Sequence, residues 1–218
     1  MSNIASSKPS GALAVVGSFL LSMLVLGGCA STNEPSQSQA SQTDSAATKE
    51  TVKQPLSLEQ VCEQGADCRT NASVYLASVQ GEVKLEYDQY WPVVYEGEIR
   101  LLPGERVLVE IEFDESRQAN VIRQVQERSN PEQTFELFFA QVRGNYGMLM
   151  SFRNPMTQPV QFDVEITGVS GQQHRLNTCP IRGGMSFHER WPEPAKELVL
   201  KQPRIVNEPS NGVMICSS

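Results

Sequence analysis

The feature that most constrains this 218-residue chain is a period of two. In ERVLVEIEFDE, Val107, Val109, Ile111 and Phe113 fall on one side of an extended strand, and Glu110, Glu112 and Asp114 fall on the other. PVQFDVEIT repeats the pattern, with Val160, Phe162, Val164 and Ile166 opposite Gln161, Asp163 and Glu165. A helix would scatter each set around its circumference, so these segments gather their apolar side chains only as strands. The carboxylates of Glu110 and Glu112 are expected on a solvated face. Further stretches that read as strands are 72–78, 82–88, 92–102, 120–126, 134–142, 147–152, 197–201 and 212–216. Turn residues punctuate them at Pro103-Gly104, Asn130-Pro131, Gly144-Asn145, Asn154-Pro155 and from Gly168 to Gly171.

About eight to ten short strands, each with one polar face, predict an all-β, antiparallel domain. The expected architecture is an immunoglobulin-like β-sandwich, with a lipocalin-like β-barrel as the alternative. No long helical period is present to build a parallel α/β sheet. A short helix precedes the strands in SLEQVCEQG, where Ser57 and Gln60 have capping-box spacing and Gly65 suits the end. The folded part is expected to run over 57–218 as a single β-rich domain, long enough for a proper core.

Upstream the chemistry is different. From Gly11 to Leu26 the chain reads GALAVVGSFLLSMLVL, sixteen uncharged residues after a start whose one cation is Lys8. That is short for a bilayer span, which needs about 20 apolar residues, and suits the apolar core of a secretory signal. It closes with Leu26-Gly27-Gly28-Cys29, which resembles the lipobox of bacterial lipoproteins. The resemblance covers about thirty residues and implies a signal peptide over 1–28 and cleavage between Gly28 and Cys29. It also implies a diacylglycerol, and a further acyl chain such as palmitate, on Cys29. Each buried methylene adds roughly 0.8 kcal/mol, so two or three chains hold a protein at a membrane where one does not. Ala30 stands where an Asp often marks inner-membrane retention in such lipoproteins, so the implied address is the outer membrane, with the domain in the periplasm.

Residues 30–56 are dominated by Ser, Gln, Thr and Ala and cannot bury enough surface to offset ordering entropy. With Cys29 they read as a lipidated, flexible tether over 29–56, spanning about 30 Å on average. Beyond the implied cut stand 17 cations against 25 acids, a net of −8. No basic run is present to neutralise phosphates, so nucleic acid is not an expected partner.

Setting Cys29 aside for lipid leaves Cys62, Cys68, Cys179 and Cys216. In an oxidising compartment an even number reads as two disulfides, and four cysteines allow three connectivities. Cys62–Cys68 and Cys179–Cys216 are favoured because each pair is adjacent along the chain. A metal site is the rival reading, but CEQGADC lacks zinc-ligand spacing and no histidine cluster completes it. No metal or cofactor is therefore expected.

The chain offers little else that carries chemistry. YDQYWPVVY gathers Tyr87, Tyr90, Trp91 and Tyr95, whose rings could stack on a sugar, fill a partner's pocket or cap the end of a sandwich. His188 and Glu189 could form an acid–base pair, but no H-E-x-x-H follows. His174 sits in an equally polar context. GVSG around Ser170 is not a nucleophile elbow, and IRGGMS over 181–186 lacks the Lys-Ser/Thr of a phosphate loop. The expected function is accordingly non-enzymatic. The chain reads as a lipid-anchored envelope protein, membrane-bound through Cys29, that acts as an interaction or assembly module for another envelope protein. A small-ligand or glycan-binding lipoprotein is the alternative, and an envelope hydrolase the third reading.

Overall fold

The computed structural model describes residues 55–208, Gly212 and Cys216. The lipobox at Leu26–Cys29 and the tether as far as residue 54 lie outside the described residues, as does most of the strand expected over 212–216. The described residues fall within one contact-defined unit, Val52–Ser218.

The first element among the described residues is helix α1 (Leu58–Glu63). Its capping box forms as the spacing suggests: Gln60 donates its backbone amide to the Ser57 hydroxyl, and Ser57 donates its own to the Gln60 side chain at 2.9 Å. Gly65, at φ +88°, follows the C-cap and ends it. Next come β1 (Arg69–Ser78), β2 (Gly81–Tyr90), β3 (Val94–Tyr95) and β4 (Glu98–Leu101). The middle of the chain supplies β5 (Arg106–Phe113), β6 (Ala119–Val125), β7 (Thr134–Gln141) and β8 (Met148–Arg153). The last four are β9 (Val160–Gly168), β10 (Gln173–Leu176), β11 (Ser186–Trp191) and β12 (Ala195–Ile205).

All strand pairings are antiparallel, in two open five-stranded sheets and one separate hairpin. One sheet has the order β10-β9-β12-β4-β3 and the other β11-β8-β7-β5-β6, while among the described residues β1 pairs only with β2. The sheets do not close on themselves, so the described domain is a β-sandwich and not a barrel. A single buried cluster takes Ile99, Phe162, Val164 and Leu198 from the first sheet and Val109, Phe135, Leu137 and Phe152 from the second. Phe162 is the cross-link, edge-on to Phe135 at 6.0 Å and 6.4 Å from Phe152. Val74 and Leu76 of β1 join the same cluster, so the hairpin is part of the core's cover.

Two departures from the sequence expectation have clear causes. The strand expected over 92–102 is a hairpin, β3 and β4, turned at Glu96-Gly97. Both residues sit at positive φ (+48° and +78°), as a type I′ turn requires. Glu110 is not on a solvated face: it is 2% exposed and bonds Arg123 Nε at 2.9 Å. Its strand, β5, is covered on that side by the segment around Asn130.

Burial alone would raise the Glu110 carboxyl, but hydrogen bonds from Arg123 and Asn130 outweigh it and hold the group below the ordinary carboxylate range. A depressed pKa in the folded state contributes stability that is complete above the unfolded value and is lost as pH falls through the folded one. Glu110→Gln should therefore be less stable than the parent at neutral pH, with the gap closing in acid. Denaturant titrations at several pH values would show this, and an equal gap at every pH would contradict it.

Both cysteine pairs are joined as favoured. Cys62 and Cys68 have Cα atoms 5.6 Å apart at a separation of 6 residues, and Cys179 bonds Cys216 across 37.

Candidate functional site

The aromatic group of residues 87–95 resolves into two pairs. Tyr87 and Tyr90 have ring centroids 4.6 Å apart, and Trp91 and Tyr95 have theirs 5.3 Å apart. All four are half-buried. Arg69 lies over Tyr90 at 5.0 Å and Arg100 over Trp91 at 5.3 Å. Burial, aided by the nearby Glu197 carboxylate, pushes the Tyr90 phenol well above its ordinary value, so it stays neutral.

The arginines also bind the hairpin to the sandwich. Arg69 Nε donates to the Trp91 carbonyl at 2.8 Å, and its Nη1 meets Glu105 Oε2 at 2.5 Å. Arg100 pairs with Glu98 and, at 3.1 Å, with Glu197 of β12. This network fixes the base of the β1–β2 hairpin.

At its other end the hairpin closes in the two-residue turn Val79-Gln80, with Ser78 Oγ donating to the Gly81 carbonyl at 2.8 Å. Beside it runs a surface groove of about 580 Å³, bordered by Tyr75, Ala77, Pro103, Gln141, Arg143 and Tyr146. A second groove of about 310 Å³ lies under the hairpin tip, with Val79, His174 and again Tyr146 on its walls. The first groove has firm walls. Leu102 accepts from the Glu105 amide across Pro103-Gly104 at 3.1 Å, and Val142 accepts from Asn145 across Arg143-Gly144 at 3.1 Å. Gly104 and Gly144 take the positive φ that these turns need.

Among the described residues the most exposed large apolar side chains are Val79 (80%), Tyr75 (67%), Met185 (56%) and Tyr146 (43%). Three of the four border these two grooves. Arg143 on the wall is exposed and has no carboxylate partner among the described residues, whereas most arginines of the domain are paired with an acid.

The remaining sequence candidates do not converge. His188 and Glu189 are neighbours on β11, so their side chains leave opposite faces of the strand. His174 packs its ring on Trp191 at 5.0 Å, which ties the edge strands of the two sheets together. Ser170 lies in the tight turn closed by the Gly171 amide on the Gly168 carbonyl at 2.9 Å. IRGGMS is likewise a turn, with Gly184 at φ +69°. Among the described residues no group of three His, Cys, Asp or Glu gathers as metal ligands would.

The grooved face was not singled out from sequence, though one signal was present. In ASVYLAS the apolar positions Val74 and Leu76 alternate with Ser73, Tyr75 and Ala77, which leaves an aromatic ring on the polar side of the strand. Comparison of the chain with family models, with curated proteins and with solved structures returns no match.

Proposed function

We propose that this chain is a lipid-anchored cell-envelope protein whose β-sandwich is a non-enzymatic docking module. Cleavage behind Gly28 and acylation of Cys29 hold it at the outer membrane, with the domain in the periplasm. The immunoglobulin-like reading belongs to the same proposal, since such sandwiches present open sheet edges and loops to partners. The anchor rests on the lipobox resemblance, and the oxidising address is in keeping with two disulfides.

One observation carries the docking role: Tyr75, Val79 and Tyr146 concentrate exposed apolar surface at two grooves that meet at Tyr146. Exposed apolar surface rimmed by polar groups marks interaction sites, and aromatic anchors dominate interface energetics. The role is tested by chemical crosslinking in intact cells. Tyr146→Ala and Val79→Ser should each reduce the recovered partner severalfold, while Met185→Ser on the remote exposed site should leave it unchanged. Equal recovery from all three would remove the grooves from the interface. Intact mass of membrane-extracted protein, with Cys29→Ala as control, tests the anchor separately.

A further inference from the structure

Among the described residues, the edge of β1 that faces away from β2 pairs with no other strand. Its register shows which backbone groups point off that edge. The two-residue turn makes Ser78–Gly81 the closing hydrogen-bonded pair, and pairs alternate from there. Ala77, Tyr75 and Ser73 therefore direct both N–H and C=O outward. Ala77 bears this out: Gln141 of β7 reaches across, its Oε1 accepting from the Ala77 amide at 2.7 Å and its Nε2 donating to the Ala77 carbonyl at 2.8 Å. A side-chain carboxamide has the same donor and acceptor as a peptide group, so Gln141 fills the place of one residue of a neighbouring strand. At Tyr75 and Ser73 the edge is exposed, and no described residue covers it in this way.

We infer that this edge takes an extended, carboxylate-bearing segment of a partner protein as an added strand. The inference rests on the docking role proposed above and names its mode. Backbone pairing at Ser73 and Tyr75 supplies the hydrogen bonds, and the groove beside Tyr75 receives the side chains that alternate inward. Arg143 gives the groove wall its charge: among the described residues it has no carboxylate partner, and the other residues that line the groove are uncharged. The second exposed ring, Tyr146, closes the same wall. Val74 and Leu76 hold the opposite face of β1 in the core, so the register offered to the incoming strand is fixed in advance.

The test uses the full chain in detergent and three synthetic peptides of alternating Thr and Val. One carries Glu at intervals, one carries Lys at the same places, and one is the Glu peptide N-methylated at alternate residues. Fluorescence anisotropy should show saturable binding of the Glu peptide, about tenfold weaker binding of the Lys peptide, and loss of binding on N-methylation. Tyr75→Pro removes the outward amide without touching the β1–β2 ladder, since proline is tolerated where the N–H faces off an edge. Tyr75→Ala removes the ring and keeps the amide. Binding should fall further in Tyr75→Pro than in Tyr75→Ala, with unfolding transitions of both variants close to the parent's.

Equal binding by the two variants, or by the methylated peptide, overturns strand addition while leaving the grooves as a docking surface. Absence of saturable binding of the Glu peptide at millimolar concentration overturns it also. Sedimentation that shows a dimer abolished by Tyr75→Pro would give the edge to a second copy of this chain. Flotation with phosphatidylethanolamine–phosphatidylglycerol vesicles that is lost in Val79→Ser would give the hairpin tip to lipid. Either outcome displaces the peptide.

Discussion

Phe162→Ala is expected to lower the unfolding free energy by about 4 kcal/mol, within the range for phenylalanine deletions in packed cores. The site is 2% exposed, and the ring contacts Phe135 and Phe152 of the opposite sheet. Removing it opens a cavity between two sheets whose backbones are held by their own ladders and cannot collapse into it. A domain of this size has roughly 5–15 kcal/mol in total, so the variant should remain folded in the cold and unfold well below the parent's midpoint. Denaturant titration reads the difference directly. A loss under about 1 kcal/mol would mean that the sheets do not meet at Phe162.

Opening the Cys179–Cys216 bridge by paired serine substitution should cost about 3.8 kcal/mol in the loop-entropy account, because it releases a loop of 37 residues. The Cys62–Cys68 bridge closes only 6 and should cost about 2.2 kcal/mol. The order is the informative part. The longer loop contains β11 and β12, the latter paired with both β9 and β4, so its freedom in the unfolded chain is large. If removal of the short bridge proved the costlier, the stabilisation would lie in native contacts around α1 and not in chain entropy.

Strands that carry the core were legible because burial on one face imposes the alternation that a reader can see. β5 and β9 are such strands. β10 and β11 left no such trace, for the opposite reason. Each is an outer strand bonded to one neighbour, and Gln173-His174-Arg175-Leu176 buries too little to be patterned. In β11, Glu189 falls between Phe187 and Trp191 on the inward side and interrupts the period. Glu110 misled because alternation reports which face a side chain leaves by, not what later covers that face. The four aromatic residues at 87–95 were visible as a cluster in sequence, but their division into two half-buried pairs depends on Arg69 and Arg100, which the chain brings from elsewhere. The grooves were beyond reach for a similar reason: Ala77 and Gln141, which meet across the larger one, are separated by 64 positions.

The clasp of α1 and the arginine fork at the base of the hairpin have a mechanical consequence. A pull delivered from the N-terminal side enters the sandwich at the Cys62–Cys68 loop, which is covalent and does not lengthen. The next element in line is Arg69, gripped at once by the Trp91 and Arg100 carbonyls and the Glu105 carboxylate. Tension is thus shared among three anchors on two different segments before it can peel β1 from β2. The tip of the hairpin, at the far end of that path, should keep its shape while the base is under strain.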